Sequence, residues 1–222
     1  MRGAPATKQS LVKLRVREIA SLLSVARNDK TTYMKNNIFI ISGPSGTGKD
    51  SIIQGLKKIL PLKQLITTVS RPMRAGECQG KPYYFITKKQ FETNIKQNKF
   101  FEYDFHYKNY YGLTYDEINQ AKASGKIYFW QAEYKGVKTA KKKMPDLTAI
   151  FINSPLEILI ARMRRRETKL DEKIFKQRVK DTKEWLKHLG IYDYIVNNEQ
   201  NKLSQTIAKV AEIIKKNAKI GC

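Results

Sequence analysis

The stretch "GPSGTGKD" at residues 43–50 constrains the fold of this chain more than any other feature. It matches seven of the eight positions of the phosphate-binding loop pattern G-x-x-x-x-G-K-[ST], and Asp50 stands where the pattern has a hydroxyl residue. The loop follows a nearly continuous apolar run, "NNIFIIS" at 36–42, and precedes a helical pattern that ends at Pro61. A strand, a glycine-rich loop and a helix in this order predict a nucleotide-binding loop.

The residues of the loop explain why such a segment holds phosphate. Gly43, Gly46 and Gly48 can adopt backbone conformations that aim consecutive N–H groups inward, which makes an anion-binding nest. The following helix adds the positive end of its dipole, and Lys49 can reach the outer phosphates as a point charge. The loop is therefore interpreted as the binding site of a nucleotide's phosphate chain.

The rest of the chain alternates between strand-like and helix-like patterns. Three apolar, strand-like runs follow the loop, at 126–133, 147–154 and 192–198. Four helical patterns lie between and after them, at 134–143, 155–166, 172–189 and 201–216. This alternation predicts an α/β fold with a doubly wound parallel sheet.

The chain carries a formal net charge of +23, from 43 Lys and Arg against 20 Asp and Glu. Such a balance permits binding to nucleic acid, to an anionic membrane surface or to small polyanions, and does not choose among them. Because the basic residues are spread along the whole chain, a solvated basic surface with a phosphate-handling cleft is preferred to a nucleic-acid groove. No apolar run approaches roughly 20 residues, so no membrane span is predicted.

Cysteine and histidine are sparse in the sequence. Cys78 and Cys222 are the two cysteines, His106 and His188 are the two histidines, and none of the four has the neighbours of a metal site. Two cysteines do not make a disulfide framework, which suits a reducing compartment. The sequence therefore predicts a cytoplasmic protein.

The first 33 residues differ from the rest, since they hold seven basic and two acidic residues and an amphipathic helical pattern. Three interpretations stay open: an organelle targeting peptide, a stretch read through from upstream of the functional start, and an accessory helix. Met34 is the preferred start, because the first strand begins within a few residues of it. The predicted division is a basic extension over 1–33 and a globular domain over 34–222.

Residues 65–115 do not fit a plain sheet. They are rich in Tyr, Phe and basic residues, and they predict two or three short strands around one helix at 88–98. Because they are inserted between helical units, they should form a small lobe over the carboxyl end of the sheet, where ligands of α/β proteins bind. A basic lobe whose aromatic side chains stack on single-stranded RNA would also explain this composition, but not the acid Glu102 in an apolar setting.

In this lobe the chain resembles the guanylate kinases, which transfer a phosphoryl group from ATP to GMP. The resemblance is carried, in family order and spacing, by "SRPMRAGE" at 70–77, "GKPYYF" at 80–85, "FFEYD" at 100–104 and "YYG" at 110–112. It covers about 36–216. It implies a P-loop doubly wound parallel sheet with an inserted small mixed α/β GMP-binding lobe at 66–115 and a helical lid at 160–180.

The resemblance implies binding residues by position. ATP would bind the loop, at Gly43, Pro44, Ser45, Gly46, Thr47, Gly48, Lys49, Asp50 and Ser51. The GMP phosphate would bind guanidinium and phenol groups, at Arg71, Arg74, Tyr83 and Tyr111. The guanine base would bind Glu102, with Thr67 and Glu133 as further contacts, because a carboxylate accepts paired N–H donors that guanine presents and adenine lacks. Leu113 replaces a hydroxyl residue of the family, and Thr114 is the adjacent hydroxyl.

Three residues are expected to carry out the phosphoryl transfer. Lys49 would bind the transferring phosphates. Arg162 and Arg166 match the two arginines of the family's lid, lie four residues apart on one helix face, and would stabilise the charge of the transferring group. A third family arginine falls on Gln177 by strict count, with Arg178 one residue later. Asn197 is expected as an adenine-side or structural contact.

Asp50 and Gln131 depart from the family pattern, which has a hydroxyl residue and an aspartate there. A carboxylate about 4 Å from a phosphate oxygen costs about 4 kcal/mol at an effective dielectric near 20. Its favourable interaction with the dipole at the start of a helix offsets only ~0.3–1 kcal/mol of this cost. A Mg²⁺ ion between them removes this penalty, and carboxylate is a normal Mg²⁺ ligand. We therefore expect Mg²⁺ with ATP, with Asp50 as the metal ligand that compensates for Gln131. Ser51 is a poorer candidate, because it is rotated about 100° around the helix axis.

Two other families with this fold stay open. Ribose 1,5-bisphosphate phosphokinases typically carry G-K-D in the loop but have no guanine to recognise, so Tyr83, Glu102 and "RPMRAGE" favour GMP. Guanylate-kinase-like domains of scaffold proteins bind peptides and have lost the functional loop, so Lys49 and the loop glycines favour an enzyme. The expected partners are ATP and GMP, without nucleic acid or membrane, in a monomer or homodimer. Use of dGMP stays open.

Overall fold

Strands and helices alternate along the described chain. The computed structural model describes residues 37–106, 108–166 and 172–218, without the side chains of His106 and Arg166. In chain order the elements are β1 (Ile38–Ser42), α1 (Lys49–Ile59), β2 (Leu62–Gln64), β3 (Thr67–Val69), β4 (Tyr83–Phe85), α2 (Lys88–Lys96), β5 (Phe100–His106), β6 (Asn109–Thr114), α3 (Tyr115–Ala123), β7 (Ile127–Trp130), α4 (Tyr134–Lys143), β8 (Thr148–Asn153), α5 (Leu156–Arg166), α6 (Glu172–Leu186), a 3-10 turn (Leu189–Ile191), β9 (Tyr194–Asn197) and α7 (Leu203–Asn217).

Five strands form a parallel sheet in the order β2-β7-β1-β8-β9. The central strand β1 is buried at all five positions, because both faces of the sheet are covered. Phe39 and Ile41 pack in a cluster with residues of α1 and α7, whereas Ile38 and Ile40 pack in a second cluster with residues of α3 and α4. A parallel sheet with helices on both faces confirms the predicted doubly wound α/β fold.

The apolar patterns predict the long elements of this layer well and two short ones not at all. Each predicted strand and helix is present within a few residues of its predicted ends. The edge strand β2, Leu62–Gln64, was not predicted, because three residues are too few to show a period. The helix α3 was also missed, although Thr114 accepts a hydrogen bond from the backbone N–H of Glu117 at 3.3 Å as its N-cap.

A second sheet, in the order β4-β3-β6-β5, is formed by strands between Thr67 and Thr114. β3 pairs in parallel with β4 and antiparallel with β6, and β5 pairs antiparallel with β6, so the sheet is mixed. It has four strands, and the prediction of two or three is wrong. β3 and β4 have three residues each, which is too short for a period-2 pattern to be recognised.

Several sequence-based predictions lie outside the described residues. These are the basic extension at 1–33, the start at Met34, residues 167–171 of the lid and Cys222. Cys78 lies within the described residues and is a free, exposed cysteine. Across the described ranges, no helix is long and apolar enough to cross a membrane.

Candidate active site

A cavity of about 820 Å³ lies at the carboxyl ends of β1, β7 and β9, and it extends to the second sheet. Predicted site residues that line it are Gly43, Ser45, Gly46, Gly48, Lys49, Asp50, Ser51, Thr67, Tyr83, Glu102, Tyr111, Glu133 and Arg162. Four residues of the predicted ATP and GMP sites are not in the lining: Pro44, Thr47, Arg71 and Arg74. The side chain of Arg166 is outside the described part. The cavity therefore joins the glycine-rich loop to the lobe in which the sequence predicts an acceptor site.

The glycine-rich loop joins β1 to α1 and forms one wall of the cavity. Lys49 folds over this loop, and its Nζ donates hydrogen bonds to the carbonyl of Gly43 and, at 2.9 Å, to that of Pro44. Thr47 is fully buried, and its hydroxyl donates to the Pro44 carbonyl at 3.0 Å. Thr47 therefore supports the loop from inside the protein, while Lys49 stands on the cavity side, where it can exchange backbone oxygens for phosphate oxygens.

Asn198, at the carboxyl end of β9, also braces the loop. Its Nδ2 donates to the carbonyl of Thr47 at 2.8 Å, and its Oδ1 accepts from the hydroxyl of Thr206 at 3.2 Å. Asn197 is exposed and accepts a hydrogen bond from Asn153 at 2.9 Å. Sequence reasoning chose Asn197, whereas the buried neighbour lines the cavity. Two consecutive asparagines after a strand were the available signal, but the sequence did not tell which one points inward.

We expect Gly48→Ala to destabilise the protein and to weaken nucleotide binding at least about tenfold. Gly48 has a φ of 82°, where a residue with a Cβ is strained by about 1–3 kcal/mol, and the added methyl would lie 2.6 Å from Nδ2 of Asn198. Denaturant unfolding and titration with a fluorescent ADP analogue measure the two effects. Gly125→Ala is the control, since its φ is 65° but no heavy atom lies within 4 Å. Equal losses of binding in both variants would contradict the steric explanation.

Glu102 lines the cavity from strand β5 of the second sheet and is a buried acid, 9% exposed. Its pKa is raised to about 8, first by burial and then by the negative charges of Asp104 and Glu133, with Lys143 acting in the opposite direction. The carboxyl group is therefore mostly protonated near pH 7 when the cavity holds no ligand. Asp104 lines the same cavity, and sequence reasoning gave it no role, although it lies two residues from Glu102 on one strand face.

The segment between β3 and β4 forms an arginine–glutamate pair beside the cavity. Arg71 is buried, and its two terminal nitrogens donate to the two carboxylate oxygens of Glu77, each at 2.6 Å. The guanidinium also lies 5.3 Å from the ring centroid of Tyr83. Hydrogen bonds from Arg71 and from the backbone N–H of Arg74 lower the pKa of Glu77 to about 2. Arg71 thus stands directly behind Tyr83, a cavity-lining residue, whereas the Arg74 side chain is exposed.

The helix α5 brings arginines to the loop side of the cavity. Nη1 of Arg162 donates to the carbonyl of Gly46 at 3.1 Å. Arg165 also lines the cavity, and sequence reasoning missed it because the four-residue spacing favoured Arg166. The two candidates for the third arginine position, Gln177 and Arg178, are adjacent on α6, and neither lines the cavity. Gln177 donates a hydrogen bond to Asp181 at 2.8 Å.

Comparison with known proteins decides the family of this chain. The guanylate kinase family model matches residues 35–217. The chain belongs to the guanylate kinase family. Guanylate kinases are nucleoside monophosphate kinases, so the chain is an enzyme of this class.

Curated relatives and a solved structure agree with this membership. A guanylate kinase of Rickettsia felis is 40% identical over 186 residues, which are 83% of this chain and 95% of the relative. A guanylate kinase of Buchnera aphidicola (subsp. Schizaphis graminum) is 40% identical over 166 residues, which are 73% of this chain and 80% of the relative. The crystal structure of guanylate kinase from Anaplasma phagocytophilum matches with a TM-score of 0.63 at 19% identity, covering 83% of this chain and 88% of that one, which shows the shared fold.

Asp50 and Gln131 meet in this guanylate kinase at the cavity wall. Nε2 of Gln131 donates to Oδ1 of Asp50 at 3.3 Å, and both side chains line the cavity. Among the described residues, no three His, Cys, Asp or Glu side chains are grouped so that they could hold a metal ion by themselves. A divalent cation at this wall would therefore need oxygen ligands from a bound nucleotide in addition to the carboxylate of Asp50.

Leu113 and Thr114 are not available to a base in this family member. Leu113 is fully buried and packs in the cluster that includes Ile118 and Ala121. The hydroxyl of Thr114 caps α3, and neither residue lines the cavity. Thr67 is consequently the predicted hydroxyl contact to the base that does line it.

Proposed function

We propose that this chain transfers the γ-phosphoryl group of ATP to GMP, forming ADP and GDP. The observation that carries the proposal is one cavity lined both by the glycine-rich loop with Lys49 and by the buried acid Glu102 of the second sheet. A loop of this kind binds the phosphates of a donor nucleotide. The ionised carboxylate of a buried acid can accept hydrogen bonds from both the N1–H and the exocyclic amine of guanine. Membership of the guanylate kinase family supports the same reaction.

The acceptor is proposed to lie across the lobe. Its phosphate would contact Arg71, Arg74, Tyr83 and Tyr111, and its base would contact Glu102, Thr67 and Glu133. Because Glu77 already fixes the guanidinium of Arg71, little side-chain entropy is lost when the phosphate arrives. Burial raises the pKa of Tyr83, so its hydroxyl stays protonated at neutral pH and can donate a hydrogen bond to the phosphate.

Mg²⁺ is proposed to accompany ATP, with Asp50 as its protein ligand. The residues fit this ion, because Mg²⁺ in kinases is held by one or two carboxylates together with substrate phosphates. Asp50 lies in the first turn of α1, directly after the loop, and Gln131 fixes its carboxylate. When bound, Mg²⁺ neutralises charge that develops on the phosphates during transfer.

The chain's own residues align the substrates and stabilise charge. Lys49 exchanges the carbonyls of the loop for donor phosphate oxygens, and Arg162 turns from the Gly46 carbonyl to the transferring group. Arg166, one helical turn later on α5, is proposed to act with Arg162. No side chain has to accept a proton, because the attacking phosphate oxygen is already an anion near pH 7. The reaction therefore depends on positioning and on the exclusion of water.

Replacing Asp50 by serine should raise the Mg²⁺ concentration for half-maximal activity about tenfold, because a charged ligand becomes a neutral one. A readout independent of turnover is the affinity for ADP with Mg²⁺ and with EDTA, measured by calorimetry. The difference between the ADP affinity with Mg²⁺ and the ADP affinity with EDTA should be smaller in Asp50→Ser than in wild type. Asp116→Ser, which removes a helix-start carboxylate outside the cavity, should leave both measurements unchanged. Unchanged Mg²⁺ dependence in Asp50→Ser would remove Asp50 from this role.

The reaction itself is tested by following the phosphorus atoms. The protein is mixed with MgATP and GMP, and the ³¹P spectrum is recorded over time. The proposal requires that ADP and GDP appear in equal amounts while ATP and GMP decline together. Formation of inorganic phosphate without GDP, or no change in the spectrum, would refute it.

We further propose the organisation predicted from the sequence: a basic extension at 1–33 and a catalytic domain at 34–222 that contains an acceptor lobe at 66–115 and a lid at 160–180. The position of the cavity between the loop and the second sheet supports separate donor and acceptor regions. A cytoplasmic enzyme that acts on small molecules as a monomer or homodimer, without nucleic acid or membrane, remains the expectation.

A further inference from the structure

The carboxyl group of Glu102 lies against the first turn of α4. Gly136 is the third residue of this helix and is buried. A methyl group on Gly136 would lie 2.9 Å from Oε2 and 3.3 Å from Cδ of Glu102. Gly136 has ordinary helical backbone, and alanine is favoured over glycine inside a helix by about 1 kcal/mol. The absence of a side chain is therefore explained by the room that the carboxyl group of Glu102 needs.

The other end of α4 holds the strand that carries Glu102. The pairing of β5 with β6 shifts register between Phe100 and Glu102, so the consecutive residues Phe101 and Glu102 are both buried. Nζ of Lys143 donates to the carbonyl of Phe101 and, at 3.0 Å, to the hydroxyl of Tyr115. The ammonium group also lies over the rings of Phe101 and Tyr115, 5.3 and 5.1 Å from their centroids.

Without this bulge, strict alternation would point one of the two side chains away from the interior. The bulge lets Phe101 pack in the core and Glu102 enter the cavity. Lys143 fixes the bulge by binding the carbonyl of the residue before Glu102, and Gly136, which has no side chain, lets α4 lie close to the carboxyl group. Both constraints come from one helix that packs on β5.

We propose that α4 positions the base-recognising carboxyl group of Glu102, with Gly136 providing the space that the carboxyl occupies and Lys143 holding the strand bulge that aims it. This inference rests on the proposed function, in which Glu102 binds guanine. Gly136 and Lys143 are positioning residues, since neither has to touch the substrate.

The decisive variant is Gly136→Ala in the full-length chain. The added methyl displaces the carboxyl group, so one of its two hydrogen bonds to guanine is lost and KM for GMP rises about 10- to 100-fold. KM for ATP and kcat at saturating GMP should stay close to wild type, and Tm should be unchanged or higher, because alanine favours the helix. Gly190→Ala is the matched control, since no heavy atom lies within 4 Å of a methyl there.

Coupling to Glu102 distinguishes positioning from a general packing effect. Glu102→Asp shortens the side chain and withdraws it from position 136. The double variant Gly136→Ala/Glu102→Asp should therefore bind GMP more tightly than the product of the two single effects predicts. Lys143→Met, which keeps an apolar stem but removes the donor, should also raise KM for GMP without changing KM for ATP. This variant tests the proposal independently if Gly136→Ala does not fold.

Three results would overturn the inference. The first is an unchanged KM for GMP in both Gly136→Ala and Lys143→Met. The second is a rise in both KM values together with a lower Tm, which indicates damage to the fold. The third is independent, additive effects of Gly136→Ala and Glu102→Asp. If the wild-type protein does not convert GMP at all, the proposed function fails first, and that result is recognised before any variant is compared.

Discussion

Replacing Arg162 by alanine should lower kcat with GMP about 10³-fold and leave the free energy of unfolding within about 0.5 kcal/mol of wild type. Arg162 already contacts the loop, through the carbonyl of Gly46 at 3.1 Å. An arginine that stabilises charge on the transferring phosphoryl group acts on the transition state more than on bound substrates, so the loss appears in kcat rather than in KM. Steady-state kinetics with both substrates varied measure the two parameters separately.

Arg164→Ala is the matched control for this prediction, because it removes the same charge from the same helix. Arg164 lies 3.7 Å from Glu172 and packs over the ring of Phe175, 4.5 Å from its centroid, and it does not line the cavity. Its kcat should stay within a factor of about three of wild type. Similar losses in both variants would mean that the net charge of α5, and not the position of Arg162, supports turnover.

Replacing Glu102 by glutamine should lower kcat/KM for GMP about 10²-fold and leave kcat/KM for AMP unchanged. Glutamine keeps the size of the side chain but presents one acceptor and one donor to a base edge with two donors. A hydrogen bond to a charged group contributes about 1.5–3 kcal/mol, which corresponds to one or two factors of ten. Glu92→Gln, on α2 and outside the cavity, is the control. Equal losses with GMP and AMP would indicate a structural role for Glu102.

The same carboxyl group gives the binding of GMP a pH dependence of defined sign. The pKa of Glu102 is raised to about 8, mainly by burial, so the ionised form is the minor one at neutral pH. Because guanine binds the ionised form, GMP affinity should rise up to about tenfold per pH unit between pH 6 and 8 and level off above that range. Calorimetric titration at several pH values measures it. In Glu102→Gln only the titration of the GMP phosphate should remain, and a wild-type affinity that falls with rising pH would contradict the assignment.

The parts of the site that could be predicted from the sequence are those whose chemistry is local. The glycines and Lys49 lie within one loop between a strand and a helix, so eight consecutive residues identify a phosphate site. The burial of β1 on both faces follows from its continuous apolar run. Glu102 was found from the order of several motifs, since a single acid in an aromatic segment has no signature of its own.

The remaining parts depend on contacts between distant residues, which a single sequence does not display. Asn198 binds the carbonyl of a loop residue 151 positions away, and Gln131 meets Asp50 across 81 positions. Which of two adjacent residues faces the cavity also depends on tertiary packing, as at Asn197 and Asn198. The role of Gly136 also depends on a distant contact, with the carboxyl group of Glu102. From the sequence alone, a glycine inside a helix is only an unfavourable residue.

The proposed transfer to GMP is tested most directly by a coupled assay for ADP release with MgATP and four acceptors in parallel: GMP, AMP, UMP and ribose 1,5-bisphosphate. We expect turnover that is selective for GMP, because Glu102 lines the same cavity as the glycine-rich loop. Turnover with ribose 1,5-bisphosphate alone, or no turnover by folded protein that still binds GMP, would contradict it.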